Sequence, residues 1–378
     1  MDPWIAQAAE RIATRAEREL EALVAVSTPS GDIRGAEEAA AVVAAILPDA
    51  ASVERPPCSS PDHAPDLLAR VTGEGERRIL LVGHLDTVVA HADHRPLRRD
   101  GDQLVGSGSI DMKGGDVLAL GVLRALTETR RAEFAEVALL LVCDEEWRLG
   151  DFAHARRFAG WDACLCFEAG ERDADDHDAV VVKRKAAGTV RVVASGRSAH
   201  SGSAPHKGRN ALLALAAAAQ AVAACHDPDG PDRRTAVPTI LHAGDAFNVV
   251  PAHGELICDV RADHMSAFEA VLDAVPAEVG GVTLRAENLR RWPGMDAREP
   301  VAPVLERAGR ALGRPIGPAS RGGASDASHF AAGIPITIDG LGPLGGGAHA
   351  PHEFVWAPSL RRRAQVALAV ADAVLRPD

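Results

Sequence analysis

Five short stretches of this 378-residue chain carry side chains that could bind metal ions and move protons. The first, Gly83-His84-Leu85-Asp86-Thr87, follows the apolar run Ile79–Val82. On a strand, residues i and i+2 share a face, so the His84 imidazole and the Asp86 carboxylate can converge. A carboxylate behind a ligating histidine orients the ring and raises its basicity. In the second, Gly106 to Gly115, small residues let the backbone turn sharply and place Asp111 before a helix. A carboxylate with two free oxygens can bridge two metals about 3.5–4 Å apart. Glycine-rich loops before helices also bind phosphate, but neither a G-x-G-x-x-G nor a P-loop register is present. The third, Asp144-Glu145-Glu146, ends the apolar run Val137–Val142. Adjacent acids there point in different directions, so one can ligate metal while its neighbour deprotonates a polarised water, the division that hydrolysis needs.

The fourth stretch, Cys164 to Gly170, is an apolar strand ending in Glu168. Cys164 and Cys166 would share its face, but a C-x-C pair without a second pair is more often core than a thiolate site. The fifth, Gly345 to Glu353, is a flexible loop with His349 and His352, either of which could ligate. Nitrogen and carboxylate sets of this kind suit borderline metals. Alone, each stretch also reads as a satisfied histidine, a solvated acidic turn or core. Together they fall at strand ends and loops that belong at one sheet edge.

The elements that must position them alternate. Strands are expected at Leu67–Val71, Arg78–Val82, Val137–Val142 and Ala163–Phe167, and helices at Gly35–Leu47, Lys113–Thr127 and Asp151–Arg157. Alternation of this kind predicts a mainly parallel central sheet flanked by helices, with ligands at the C-terminal strand ends. From Gly188 the rhythm changes. Strand Thr189–Ala194, helix Arg209–Ala224, strands Thr235–Ala243 and Glu255–Arg261, helix Ser266–Ala274 and strand Val282–Ala286 follow in the βαββαβ order of a ferredoxin-like unit. Alternation resumes with helix Pro303–Leu312, the run Ile334–Ile338 and a closing helix Pro358–Val374. The chain is therefore expected to be α/β, with residues 1–186 and 294–378 as a discontinuous catalytic domain and 187–293 inserted into it.

The formal charge of −12, from 41 basic and 53 acidic residues, disfavours nucleic acid and anionic membrane as partners. The most apolar run, Ala211 to Ala224, is too short for a membrane span. The N-terminal residues read as a helix capped by Asp2 and not as a secretory signal, and six scattered cysteines suit a reduced, cytoplasmic setting. The acidic stretch Glu171 to Asp178 lacks turn glycines and reads as a solvated charge run.

Over nearly its whole length, in order, this chain resembles the co-catalytic zinc hydrolases of the aminoacylase, acetylornithine deacetylase, succinyl-diaminopimelate desuccinylase and glutamate carboxypeptidase family. The resemblance implies two divalent ions, zinc first, with manganese or cobalt as alternatives. His84, Asp111, Glu146, Glu168 and His349 would be the ligands, with Asp111 bridging and followed by a cis peptide. Asp86 would support His84, and Glu145 would be the general base. Gly196 to Gly202 with Pro205, Asn248-Val249-Val250-Pro251 and Asp259-Val260-Arg261 extend the match into the inserted domain. Family members dimerise there, and His200 would reach into the partner subunit's site to stabilise the oxyanion. Arg261 and Asn248, with Arg321, would hold a substrate carboxylate, for which an arginine fork is suited. Glu168 and Arg321-Gly322-Gly323-Ala324-Ser325-Asp326 resemble the glutamate carboxypeptidase branch most, whereas Ser107 and Leu149-Gly150-Asp151 depart from the family pattern. A small or dipeptide-like amide carrying a carboxylate is the implied substrate. A deacylase of N-acyl amino acids, or a silent binding module that kept the fold, are the alternatives.

Overall fold

Strands buried on both faces organise the chain. The structure, a computed structural model describing residues 1–376, places six of them in the order Ser52–Glu54, Leu67–Thr72, Phe134–Val142, Arg77–His84, Ala163–Cys166, Ile336–Ile338. The last four run parallel, and Leu67–Thr72 pairs antiparallel on either side. Parallel strands need cover on both faces, and the wholly buried runs Leu80–Val82, Val137–Val142 and Ala163–Cys166 supply the matching apolar surface. Helix Pro3–Val24 turns Ile5, Ile12, Leu20 and Leu23 inward and packs on helices Gly114–Thr129 and Ala357–Leu375. Its first turn is capped by Asp2, which accepts from the Trp4 N–H at 2.7 Å.

Register does the positioning. His84 lies beside Val142, and Val82 beside Cys166. Residues just past these strand ends, including Glu145, Glu146 and Glu168, therefore emerge along one edge of the sheet. Gly115 lets the following helix begin against that edge, because a Cβ there would lie 1.9 Å from the Phe167 carbonyl oxygen.

A second core lies between Ala186 and Ala286. Five antiparallel strands, in the order Thr235–Ala243, His253–Ala262, Ala186–Ser195, Val282–Trp292, Glu278–Val279, carry helices Ala211–Ala223 and Glu269–Ala274. Val190, Val192, Ala214, Leu215, Ala218, Leu256 and Val260 fill the space between. The order of elements is βαββαβ, as the sequence predicts. A smaller sheet of Met295–Asp296, Asp178–Arg184 and Ile316–Arg321 stands where the chain passes to this unit and returns.

Four boundaries differ from expectation. Asp151–Arg157 is not a helix; only a 3-10 turn at Ala155–Phe158 forms. Phe152 and His154 are both buried, and His154 bonds Asp66 at 2.7 Å, a two-residue alternation that a helical face cannot provide. The helix expected from Pro303 begins at Arg298, with Pro303 in its second turn. The helix expected at Ser266 opens as a 3-10 turn, Met265–Phe268. The strand expected to end at Ala286 continues past a bulge opposite Thr189/Val190 to Trp292. There the Trp292 indole donates to the Arg148 carbonyl at 3.3 Å, joining the second sheet to the segment after Glu146.

Candidate metal centre

At the sheet edge, the ends of three parallel strands and two loops deliver histidine and carboxylate to one place. His84, Asp111 and Glu168 offer ligand atoms within 4.8 Å of one another, and so do Asp111, Glu146 and His349. Asp111 belongs to both groups through different oxygens. Oδ1 lies 3.2 Å from His84 Nε2, and Oδ2 lies 3.1 Å from His349 Nε2. Glu146 Oε1 is 3.3 Å from His349 Nε2, and Glu168 Oε1 is 3.8 Å from His84 Nε2. One carboxylate facing two histidines, each with a further carboxylate, is the donor set of a pair of borderline divalent ions.

The electrostatics fit that use. Burial opposes protonation of His84, yet hydrogen bonds to Asp111 and Asp86, with Glu145 and Glu168 nearby, hold its pKa well above the usual range. Hydrogen bonds to Asp111 and Glu146 take His349 up to about 10. Burial, then the neighbouring Asp111 charge, pushes Glu168 up to about 8. In each case a proton satisfies carboxylates that a cation would otherwise satisfy. Glu146 Oε1 is buried and faces the His349 ring nitrogen at 3.3 Å.

The surrounding groups fix these donors. Asp86 is buried and accepts from the Glu145 and Glu146 N–H groups, each at 3.1 Å, and from the Ser30 hydroxyl at 2.7 Å. The His84 Nδ1 faces the Asp86 carbonyl at 3.0 Å and its carboxylate at 3.5 Å. Asp86 thus supports His84 and also sets the turn bearing Glu145 and Glu146. Glu353 accepts from the N–H groups of Gly108, Ile110 and Asp111 at 2.8, 2.8 and 3.0 Å, tying the Asp111 loop to the loop of His349. The Asp111–Met112 peptide is cis, and His349 stands at φ 63°. Glu145 is buried; burial first, then the Asp326, Glu168 and Glu146 charges, raise its pKa well above normal against the pull of His84. A carboxyl so raised can take a proton from water and give it back.

These arrangements match a known family. A model of peptidase family M20/M25/M40 matches residues 80–373. The chain belongs to that family. Carboxypeptidase G2 of Pseudomonas sp. (strain RS-16) is 27% identical over 368 residues, covering 92% of this chain and 86% of that one. Succinyl-diaminopimelate desuccinylase of Methylobacterium sp. (strain 4-46) is 29% identical over 353 residues, covering 85% and 87%. Aminopeptidase PepT of Bacillus cereus shares the fold with a TM-score of 0.78 at 21% identity, covering 96% and 99%. As an M20 member the chain is a hydrolytic enzyme of a metal-dependent kind, on a mixed α/β fold.

The other predicted residues do not join the cluster. His200 is exposed, with its ring Nδ1 accepting from the Gly202 and Ser203 N–H groups at 3.1 and 3.2 Å. Asn248 is exposed beside a fully exposed Phe247. Arg261 is paired with Asp259 on its own strand, at 2.9 Å. Arg321 pairs with Glu171 and lines a separate cavity of about 690 Å³ with Gly170, Trp356 and Arg362. Cys164 and Cys166 are buried free thiols whose pKa burial drives well above normal. Sequence reasoning did not find Ser30 or the roles of Glu353 and Arg148. Arg148 is wholly buried, pairs with Asp144 and Asp326, and stacks between Phe152 and Trp292. The Glu353 signal was present, an acid four residues after His349, but its three donors lie more than 240 positions away.

Proposed function

We propose that this enzyme hydrolyses an amide bond next to a free carboxylate, as a glutamate carboxypeptidase does, with two divalent ions, zinc first, at the shared Asp111. The observation that carries it is the pair of three-residue groups joined through opposite oxygens of one carboxylate, with a buried Glu145, its pKa raised chiefly by burial, on the adjoining turn. His84, Asp111 and Glu168 would hold one ion, and Asp111, Glu146 and His349 the other. Bound there, the ions would polarise a water and the amide carbonyl. Glu145 takes the proton of the attacking water and returns it to the leaving nitrogen. Asp86 holds the turn that aims Glu145 and, with it, the orientation of His84.

Residues 187–293 serve in this reading as a lid and dimerisation domain joined to the catalytic body of 1–186 and 294–378. His200 of the partner subunit stabilises the oxyanion, and exposure of His200 in one chain is consistent with that use. Arg261 and Asn248, with Arg321, receive the substrate carboxylate. The unpaired thiols of all six cysteines support a cytoplasmic setting. No described helix is long and apolar enough to cross a membrane.

The test is Glu145→Gln: metal content should stay at two per chain while kcat falls by roughly 10²- to 10⁴-fold, and hydrolysis at the wild-type rate would overturn the assignment. A second reading, an N-acyl-amino-acid deacylase of the acetylornithine deacetylase or desuccinylase type, is favoured by similarity to desuccinylases over most of the chain. Comparing rates on acyl-glutamate, N-acetylornithine and N-succinyl-diaminopimelate separates the two.

A further inference from the structure

One guanidinium joins three parts of the fold beside the turn of the proposed base. Arg148 is wholly buried, and its two terminal nitrogens go to different carboxylates, Asp144 at 3.2 Å and Asp326. Asp144 lies four residues earlier, on the other side of Glu145 and Glu146, and its carbonyl accepts from the Arg148 N–H at 3.0 Å. Arg148 therefore closes the turn that carries both glutamates twice, once by backbone and once by side chain. Asp144 is held in its turn by the Ser60 N–H at 2.8 Å. Asp326 comes from 178 positions further along, just before the short helix Ala327–Phe330. The third part is the second sheet. The Arg148 guanidinium lies 4.3 Å from the centroid of the Phe152 ring and 4.8 Å from that of Trp292. Trp292 ends the strand Val282–Trp292, is itself wholly buried, and donates its indole N–H to the Arg148 carbonyl at 3.3 Å.

As a way of filling space this is costly. A buried ion pair often adds little stability over well-packed apolar side chains, because desolvation offsets the attraction. Burial opposes the charge of Arg148, and Asp326, Asp144, Glu145 and Asp86 together outweigh it, so one cation answers several acids. What such a cluster supplies is direction. Two carboxylates on two terminal nitrogens fix the plane of the guanidinium, and the flanking rings admit that plane alone. The turn from Asp144 to Arg148 then has one seating, and Trp292 is part of what defines it.

We propose that Arg148 is a positioning residue: held by Asp144, Asp326 and Trp292, it fixes the turn of Glu145 and Glu146 and transmits the seating of the second sheet to the proposed base. Arg148 touches no reacting atom and acts only through that turn. Its effect on rate rests on the amide-hydrolase reading above; its effect on the turn does not.

Arg148→Met removes the charge and keeps most of the length, Arg148→Lys keeps the charge without the fork, and Trp292→Phe keeps a ring without its donor. Each full-length, metal-loaded protein is studied well below its melting temperature. One readout is kcat and KM on whichever of acyl-glutamate, N-acetylornithine and N-succinyl-diaminopimelate the unaltered protein turns over fastest. The other is hydrogen exchange at the Glu145 and Glu146 N–H groups, which bond Asp86. Arg148→Met should lower kcat by about tenfold or more with KM little changed, and should speed exchange at those two amides while the central strands keep their protection. Arg148→Lys should recover part of both. Trp292→Phe should move both readouts the same way by less, and added to Arg148→Met it should lower kcat no further. A lowered melting temperature with wild-type kcat and exchange would overturn the proposal and leave Arg148 a packing residue. Losses that multiply in the double variant would overturn the route through Trp292. If Arg148→Met does not fold, Arg148→Lys and Trp292→Phe decide the same points. If none of the three compounds is turned over, the hydrolase reading falls, and exchange alone decides the positioning role.

Discussion

The edge of the six-stranded sheet and the unit of the five-stranded sheet carry the two halves of the proposed chemistry, and they are assembled to different degrees. At the edge, five donors from distant parts of the sequence meet within one chain, their turns held by buried Asp86 and Glu353. In the unit of the five-stranded sheet, His200 and Asn248 stay exposed, and Arg261 is paired with Asp259. The difference lies in what fixes each set. Neighbouring parallel strands in fixed register bring their C-terminal ends together without further help. The groups that the proposed reading assigns to a substrate or a second subunit have no such register to gather them.

Removing metal tests the first region most severely. Dialysis against a chelator should abolish hydrolysis, and zinc, manganese or cobalt should restore it, with two ions per chain by elemental analysis. Metal at about 100 times its dissociation constant should add about 2.7 kcal/mol of stability per site, and an unchanged melting temperature after chelation would break the contrast. Glu145→Gln comes next: kcat should fall by roughly 10²- to 10⁴-fold with metal retained. His200→Ala addresses the second region. It should depress kcat while leaving metal content and melting temperature alone. Mixing it with Glu145→Gln protein under subunit exchange should return about a quarter of the wild-type rate, since half the dimers are mixed and each has one intact site. No recovery would put His200 within its own chain's site or outside the reaction.

Smaller effects sharpen the boundary. Glu353→Ala strands three buried N–H groups and should cost on the order of 2 kcal/mol in denaturant unfolding, with weaker metal affinity as the Asp111 loop loosens. Normal affinity would show that the loop holds itself. Cys164→Ala with Cys166→Ala should leave metal stoichiometry unchanged, because these buried thiols belong to the core; a lost ion would reopen a thiolate site.

Much of the catalytic body could be read from the chain because each of its strands is a short apolar run ending in a chemically distinctive residue. Val137–Val142 before Glu145 and Glu146, and Ala163–Phe167 before Glu168, announce both element and donor. The segment after Glu146 could not be read this way. Asp151–Arg157 has helix-forming residues, and only the burial of Phe152 and His154 against the body keeps it irregular. Likewise the strand through Trp292 outruns its apolar pattern, since its last residues pack on Arg148 and His329 of the other unit. Tertiary contact overrides local preference where two units meet.

By itself the sequence determined the donor types, their places at strand ends and the βαββαβ order of the second sheet, because period-2 burial and apolar run length are local properties. Tertiary structure decided which donors stand together. The two Asp111 oxygens divide between His84 and His349, while His352 stays outside both groups. It also decided that Ser30 and Glu353 secure the site from far along the chain. Those outcomes depend on strand register and on the meeting of two sheets, and no stretch of sequence shorter than the whole chain specifies either.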